Sequence, residues 1–317
     1  MNWTELTSLI ARYNSFVITS HMSLDGDCVG SELAMYWYLR SLGKEAVIFN
    51  NEPTPDKFLF LKNTDEISLE KSVRQFDVLI VLDCSNLSRL GWDGTAQQVS
   101  AIINIDHHRD NTQFGQVNFV QVDASATGLI LYDFFRDSHI DYPDYVAEAL
   151  YAAILTDTGG FRFSNTNGAV FSACADLHAR GVNCSGMYDR IYASFSPQGM
   201  LLQSRIWSTL TFYRSGTVSS MEMPYDLIDE LGAKSGDAEG MVDLTVMATG
   251  VEVGMFIKYG PEQTHFSLRS RGKIDVGRIA KKIEGGGGHS CAAGCTMSLP
   301  FSEAKQKMLD ILSKELG

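Results

Sequence analysis

The stretch Asp77–Asp83, with the sequence DVLIVLD, indicates the fold most strongly because five consecutive aliphatic residues lie between two aspartates. The runs Ser15–Ser20 (SFVITS) and Ala101–Asp106 (AIINID) have similarly apolar centres. Strands that are buried on both faces of a parallel sheet have such nearly continuous apolar runs. Helical patterns such as Cys28–Leu42 separate the runs, and this alternation predicts a doubly wound, mainly parallel α/β domain.

The pattern changes after Ser196-Pro197. A helical stretch, Gln198–Leu210, is followed by a mixture of strand-like and helical segments, which predicts a smaller α+β domain. The predicted strands are Val218–Met223, Val251–Tyr259 and His265–Ser270, and the predicted helices are Ala238–Ala248, Val276–Ile283 and Ser302–Leu316. We therefore expect a first domain at 1–192, a helical linker at 193–210 and a second domain at 211–317.

The composition is typical of a globular protein, since the 317 residues are 44% hydrophobic and 20% charged. The net charge is −12, whereas proteins that bind long nucleic acids usually present a basic surface. A nucleic-acid substrate should therefore be short and held by local cations. The sequence shows no signal peptide or spanning segment, and its six cysteines lack C-x-x-C spacing, so we expect a cytoplasmic protein that binds no membrane.

Acidic side chains follow the ends of predicted strands or helices at four places. These are His21-Met22-Ser23-Leu24-Asp25-Gly26-Asp27, the single Asp83, the triplet Asp106-His107-His108, and Asp157 in Thr156-Asp157-Thr158-Gly159. Ligands of open α/β sheets bind at the carboxyl ends of the strands. We therefore expect these groups to meet at one edge of the sheet.

Carboxylates that meet in one place must bind protons or cations, because each pair at ~5 Å repels by ~3 kcal/mol at an effective dielectric of ~20. Oxygen ligands with few imidazoles suit Mn²⁺ or Mg²⁺ better than structural zinc. A single Asp at a strand end is more typical of a helix cap or a turn than of a metal ligand. An isolated His pair is likewise more typical of a surface or core feature than of a ligand. The combination favours two metals that share a carboxylate and a water, an arrangement that supports phosphoryl transfer.

A second set of polar residues lies in the predicted C-terminal domain. The run Gly285–His289 (GGGGH) is typical of either a flexible linker or a phosphate cradle. The small residues Ala292–Gly294 favour the cradle, because they let the backbone approach a ligand closely. Arg269 can donate two hydrogen bonds to one phosphate, whereas Arg271 and Lys273 either join this site or form a solvated cationic face.

The motifs together resemble a known family. The pattern His-x-x-x-Asp-x-Asp, the isolated Asp83, the triplet Asp-His-His and the later Thr-Asp-Thr-Gly resemble the DHH phosphoesterase superfamily. Ser267–Ser270 (SLRS), Ile274–Val276 (IDV) and Gly285–His289 resemble its DHHA1 substrate-binding domain. The resemblance extends over nearly the whole chain, and it is strongest to the NrnA-like subgroup of bifunctional oligoribonucleases and phosphatases of adenosine 3′,5′-bisphosphate (pAp).

The resemblance implies two divalent metal ions, Mn²⁺ in the first place, with Mg²⁺ or Co²⁺ as alternatives. The implied ligands are His21, Asp25 and Asp83 for one ion and Asp27, Asp83, His107 and Asp157 for the other. Asp83 would bridge the metals and act in catalysis together with His108, which would lie beside the substrate phosphate. Asp106 would orient the neighbouring imidazoles without touching a metal.

The resemblance also implies a set of substrate-binding residues. They are Arg269, Ser270, Arg271, Gly286, Gly287, Gly288, His289 and Arg162. Family members often have an arginine directly after Thr-Asp-Thr-Gly, whereas this chain has Gly160-Phe161-Arg162. Arg162 is therefore the candidate substitute for that arginine.

The implied reaction takes place in a cleft between the two domains, where a metal-bridging hydroxide attacks phosphorus in line. Expected substrates are single-stranded RNA or DNA di- to pentanucleotides, which would yield mononucleotides, and pAp, which would lose its 3′-phosphate to give AMP. The alternatives are a phosphodiesterase specific for linear dinucleotides such as pApA, a family II inorganic pyrophosphatase, and a non-catalytic nucleotide-binding module. We expect a monomer or a homodimer.

Overall fold

The computed structural model describes residues 3–69, 75–91 and 99–316. They form two compact units, Met1–Ser194 and Phe195–Gly317, each with a sheet and a hydrophobic core of its own. No helix within the described ranges combines the length and the apolarity that crossing a membrane requires.

The first unit contains a six-stranded sheet in which all strand pairs are parallel. Its strands are β1 (Ser15–Thr19), β2 (Glu45–Phe49), β3 (Ile67–Ser68), β4 (Val78–Leu82), β5 (Ala101–Asp106) and β6 (Val117–Val120). The spatial order is β3-β2-β1-β4-β5-β6, which reverses direction between β1 and β4. Open α/β sheets bind ligands at such a reversal, so the ends of β1 and β4 are the expected position of a site.

The described part of the first unit has six α-helices around this sheet, and the predicted doubly wound α/β fold is confirmed. They are α1 (Trp3–Arg12), α2 (Gly26–Ser41), α3 (Thr127–Asp137), α4 (Asp144–Asp157), α5 (Gly168–Ala179) and α6 (Cys184–Tyr192). Helix α2 starts two residues before the predicted Cys28, because Asp25 caps its N-terminus. The helical patterns of the sequence over Thr127–Asp137 and Tyr145–Leu155 predict α3 and α4, whereas α1, α5 and α6 have no predicted counterpart.

Both faces of the first sheet are buried, which explains its continuous apolar strands. Phe16 and Ile18 of β1 join the main core, together with the helices, whereas Val17 between them joins a smaller cluster on the opposite face. Ile80 and Val81 of β4 divide in the same way. Burial on both faces removes apolar surface from water along the whole strand, and this fixes the sheet beneath the strand-end residues.

The second unit is built on a six-stranded mixed sheet with the order β11-β12-β10-β9-β8-β7. Its strands are β7 (Thr211–Tyr213), β8 (Val218–Pro224), β9 (Val253–Tyr259), β10 (Thr264–Ser270), β11 (Gly287–Gly288) and β12 (Ala292–Met297). Its helices are α7 (Pro197–Trp207), α8 (Leu227–Leu231), α9 (Met241–Thr245), α10 (Val276–Ala280) and α11 (Phe301–Glu315). Among the described strands of this second sheet, only β8 and β9 pair in parallel, and the predicted α+β class is confirmed.

Two local predictions for the second unit are wrong. The continuous helix predicted over Ala238–Ala248 is a 3₁₀ turn followed by the five-residue α9, because Gly240 between them has a φ of +75°. The helix predicted over Val276–Ile283 ends at Ala280. The stretch predicted as a linker helix forms α7, whose buried Leu202 and Ile206 pack with β8 residues in a core cluster of the second unit.

Candidate metal centre

The segment that joins β1 to α2 presents the first two polar groups. His21 lies just beyond β1, and its Nε2 atom is 3.5 Å from Oδ2 of Asp83. Asp25 caps α2, where its carboxylate accepts hydrogen bonds from the amides of Asp27 and Cys28, both at 3.0 Å. The cap holds the Asp25 side chain at the helix N-terminus, which also favours its negative charge.

Asp83 lies directly after β4 and is buried. Its φ of +53° is in the left-handed region, which is unfavourable for a residue other than glycine. Its amide donates to the carbonyl oxygen of Ile105 at 3.0 Å, which ties the strained residue to β5. Strain of this kind persists only where the surroundings fix it, and it is concentrated at functional sites.

Asp27 lies in the first turn of α2 and is also buried. The amides of Thr127 and Gly128, in the first turn of α3, donate to its two carboxylate oxygens at 2.6 and 2.7 Å. The hydroxyl of Ser31 donates to Asp27 at 3.1 Å, and the hydroxyl of Thr127 donates to Asp83 at 3.2 Å. The first turn of α3 thus orients the carboxylates of Asp27 and Asp83, which are distant from each other in the sequence.

The imidazole of His107 is the meeting point of three carboxylates. Its Nε2 atom lies 3.8 Å from Asp27, 3.4 Å from Asp83 and 3.3 Å from Asp157, which is the last residue of α4. Its Nδ1 atom lies 3.3 Å from the carbonyl oxygen of Ala124. This second contact fixes the ring so that Nε2 points toward the acids.

His108 is held by Asp106. Nδ1 of His108 lies 2.7 Å from Oδ1 of Asp106 and 3.6 Å from Oδ1 of Asp83. Asp106 also accepts from the amide of His107 at 2.8 Å and from the side-chain amide of Asn111 at 2.5 Å. Asp106 therefore contacts both neighbouring histidines and is itself fixed at the end of β5.

The candidate ligand atoms form three overlapping groups, within each of which they lie within 4.8 Å of one another. The groups are His21, Asp25, Cys28 and Asp83; Asp83, His107 and His108; and Asp27, His107 and Asp157. The structure thus brings together all six side chains that the sequence predicts as metal ligands. Asp83 belongs to two of the groups, as expected of a residue that would bridge two ions.

Protons balance the crowded charges in the absence of a cation. Burial opposes protonation of the imidazoles, but the hydrogen bond and charge of Asp83 outweigh it and raise the pKa of His21 to about 9 and that of His107 to about 10. Burial, only partly offset by His107, raises the pKa of Asp157 to about 7. Burial also opposes ionisation of Asp83, yet hydrogen bonds from His107 and His21 hold its pKa well below the usual range.

The predicted substrate-binding arginines of β10 and the turn after it already have partners. Nε of Arg269 donates to Asp243 at 2.6 Å. Arg271 donates to the carbonyl oxygens of Val246 and Met247 at 2.8 and 3.2 Å. Ser270, between them, accepts from the amide of Gly272 at 3.0 Å. A phosphate would have to compete with these contacts.

The centre of the glycine-rich run, Gly287–Gly288, forms β11 and pairs with β12, so the run is not a flexible linker. A Cβ atom at Gly286 would lie 2.2 Å from the carbonyl oxygen of Ala280, and Gly288 has a φ of +136°. These two glycines are therefore required by the packing of the domain itself. A Cβ at Gly287 would meet nothing within 4 Å, and His289 is exposed, so these two residues have room for a ligand.

Arg162 lies in the first unit, close in sequence to Asp157. Its Nε donates to the carbonyl oxygen of Gly159 at 3.2 Å, and its guanidinium lies 5.5 Å from the centre of the Phe163 ring. The side chain is exposed. It is thus a cation on the loop that follows Asp157, and Gly160 and Phe161 separate it from Gly159.

Comparison with known proteins agrees with this geometry. Residues 15–154 match the DHH family, N-terminal domain, and residues 217–317 match the DHHA1 domain. The chain is 34% identical over 304 residues to the bifunctional oligoribonuclease and PAP phosphatase NrnA of Thermus thermophilus, a match that covers 94% of this chain and 89% of that protein. The chain belongs to the DHH family.

Two further similarities extend over almost the full length of this DHH protein. It is 24% identical to the bifunctional oligoribonuclease and PAP phosphatase NrnA of Bacillus subtilis, with 97% of both chains covered. The crystal structure of an exopolyphosphatase-related protein from Bacteroides fragilis matches with a TM-score of 0.92 and 26% identity, covering 98% of this chain and 95% of that one. Both similarities thus extend over the two units of this chain.

The donor set of this DHH protein fits two divalent cations. Carboxylates with two imidazoles are the ligands that Mn²⁺ and Mg²⁺ accept, and the cations would replace the protons that His21 and His107 bind in their absence. Cys28 adds a thiol, which donates to Asp83 at 3.4 Å. From the sequence, Cys28 is adjacent to the candidate ligand Asp27 but is more typical of a small packing residue.

Sequence reasoning missed the residues that aim the ligands. Thr127, Gly128, Ser31 and Asn111 each donate to one of the acids named above. A polar Ser-Ala-Thr-Gly stretch at the start of the predicted helix Thr127–Asp137 was the available signal, because exposed amides at a helix N-terminus attract carboxylates.

Proposed function

We propose that this protein is a metal-dependent phosphoesterase that cuts short single-stranded oligonucleotides to mononucleotides and removes the 3′-phosphate of pAp to give AMP. The observation that carries the proposal is the convergence of six predicted ligands around Asp83. The names of the relatives from Thermus and Bacillus support the same pair of substrates.

In this proposal, His21, Asp25 and Asp83 hold one divalent ion, and Asp27, Asp83, His107 and Asp157 hold the other. We favour Mn²⁺, with Mg²⁺ or Co²⁺ as alternatives, because the donors are mainly oxygen. When bound, such ions neutralise the carboxylates, polarise the phosphate and make a coordinated water more acidic.

The chain's own residues complete the site. The Asp106 carboxylate accepts a hydrogen bond from Nδ1 of His108. Nε2 is therefore the ring atom that can exchange a proton or a hydrogen bond with substrate. Hydrolysis forms a bond from water oxygen to phosphorus and breaks the bond to the leaving ribose oxygen, which takes up a proton. We propose His108 as the group that stabilises this oxygen, and Asp106 as the residue that positions His108.

We propose that the second domain, 211–317, binds the rest of the substrate, after a first domain at 1–192 and a linker at 193–210. Arg269, Ser270, Arg271 and the run Gly286, Gly287, Gly288 and His289 are the candidate contacts, with Arg162 contributed by the first domain. Of these, Gly287 and His289 have open surroundings, and Arg269 would exchange Asp243 for a phosphate.

The test is hydrolysis by purified protein with Mn²⁺, using a diribonucleotide, pAp, pApA and inorganic pyrophosphate as separate substrates. We expect mononucleotides from the dinucleotides and AMP from pAp, with no turnover of pyrophosphate. Turnover of pApA alone would favour a dinucleotide-specific phosphodiesterase. Tight nucleotide binding without any turnover would refute the proposal and indicate a binding module.

A further inference from the structure

The loop after Asp157 has an unusual backbone. Gly159, Gly160 and Phe161 all have positive φ angles, of 58°, 68° and 67°. Such a conformation suits glycine, but it strains Phe161, whose ring packs 6.4 Å from that of Tyr151 and 5.7 Å from that of Phe171. The ring contacts of the half-buried Phe161 thus hold a strained reversal of the chain, and the next residues, 162–164, are exposed.

Each glycine of this reversal is covered by an aromatic ring. A Cβ atom at Gly159 would lie 2.5 Å from the ring of Phe163, and one at Gly160 would lie 3.3 Å from the ring of Tyr188. Phe163 is nevertheless 47% exposed and Tyr188 48% exposed. The two rings therefore rest on the backbone of the reversal and leave about half of their surface open to a ligand.

Hydrogen bonds tie this loop to the metal centre. The side-chain amide of Asn165 donates to the carbonyl oxygens of Asp157 and Ser125, at 3.1 and 3.2 Å, and the Ser125 hydroxyl donates back to Asn165. Ala124, next to Ser125, contacts the ring of His107. Phe163 thus stands on a segment that is fixed to two candidate ligands, Tyr188 of α6 contacts the same segment, and the guanidinium of Arg162 lies over the Phe163 ring.

We propose that Phe163 and Tyr188 form a platform on which one nucleobase of the substrate stacks. The inference rests on the proposed function and adds a base-binding position to the first domain. A base can stack on an exposed aromatic ring whatever its sequence, and an adjacent arginine strengthens the contact. The platform would let an acidic protein select nucleotides over phosphate compounds that lack a base.

The test compares an intact dinucleotide with two analogues, one abasic at its 5′ position and one at its 3′ position. The variant Phe163→Leu keeps an apolar contact with Gly159 but removes the aromatic face. We expect it to raise KM for the intact dinucleotide by about tenfold and to leave kcat within about twofold. The effect should disappear for the analogue that lacks the stacked base and persist for the other analogue.

Further variants separate stacking from general damage. Phe163→Trp should keep the wild-type KM, and Tyr188→Leu should act in the same direction as Phe163→Leu. Phe212→Ala removes an equally exposed ring on the edge strand β7 and should change nothing. The platform would be overturned if Phe163→Leu changed KM equally for the dinucleotide and both abasic analogues, or if it changed none of the three KM values. Wild-type protein that hydrolyses no dinucleotide would instead overturn the proposed function.

Discussion

The charged groups of the two units differ in their burial and in the partners that hold them. In the first, Asp27 and Asp83 are buried and are held by helix amides and imidazoles, and no Lys or Arg among the described residues pairs with either carboxylate. In the second, Arg269 is about one-third exposed and already pairs with Asp243. Under the proposed function, the first site would be preorganised and completed by metal, whereas Arg269 would bind a phosphate by exchanging its carboxylate partner.

The largest effect is expected from removing the carboxylate of Asp83, which both metal ions would share. Asp83→Asn should lower kcat/KM on pAp and on a dinucleotide by at least about a thousandfold, because both ions would lose a ligand. The measurement is steady-state hydrolysis with Mn²⁺, accompanied by circular dichroism to verify the fold.

Asp110→Asn is the matched control, because Asp110 is exposed and lies two residues after the triplet Asp106-His107-His108. It should behave like the wild type. Activity of Asp83→Asn within a few-fold of the wild type would remove Asp83 from the bridging role.

A smaller effect is expected when the orientation of a carboxylate changes but its charge remains. Thr127→Val removes the hydroxyl that donates to Asp83 at 3.2 Å. We expect metal affinity, measured by isothermal titration, to fall by about tenfold, because partners of metal ligands commonly contribute this much. Thr127→Ser should restore it, and unchanged affinity in Thr127→Val would argue against preorganisation by α3.

The exchange of partners in the second unit can be tested from both sides. Arg269→Ala should raise KM for pAp by about tenfold with little change in kcat, since it removes a charge-assisted hydrogen bond to phosphate. Asp243→Asn frees Arg269 from its carboxylate and should lower KM. The idea of exchange fails if both variants have wild-type kinetics.

The last prediction concerns stability rather than activity, at a buried acid that is not a candidate ligand. Glu32 of α2 accepts hydrogen bonds from Ser20 and Asn50, and burial raises its pKa from the usual 4.5 to about 7. The folded protein then binds this proton more tightly than the unfolded chain. Stability contributed by the protonated group is therefore lost as pH rises between these values, by ~3 kcal/mol at most.

Glu32→Gln should reduce this pH dependence. The check is urea unfolding of metal-free wild type and variant at about pH 5 and about pH 7.5, and the quantity compared is the change in unfolding free energy between the two conditions. An identical change in both proteins would show that Glu32 does not titrate in this range.

Much of the first unit could be predicted from local patterns. Continuous aliphatic runs identify β4 and β5, and a parallel sheet necessarily brings the residues after such strands to one edge. This reasoning places Asp83 and the Asp106–His108 triplet on the same edge, and adjacency of β1 and β4 adds His21. The ligands were predictable because they lie at the ends of regular elements.

The rest depends on contacts between distant parts of the chain. Asp243, the partner of Arg269, lies 26 residues before it, in a helix shortened by a glycine, and nothing in its neighbourhood marks it. The pairing of β11 with β12 likewise follows from tertiary structure, since a run of glycines has no strand propensity of its own. The contacts of Thr127 with Asp83 depend on how α3 packs beside the sheet.

The most direct test of the central claim is anomalous diffraction from crystals of this protein grown with Mn²⁺. We predict two peaks, one bounded by His21 and Asp25 and the other by Asp27, His107 and Asp157, with the carboxylate of Asp83 between them. A single peak, or peaks away from Asp83, would contradict the dinuclear site on which the proposed phosphoesterase activity depends.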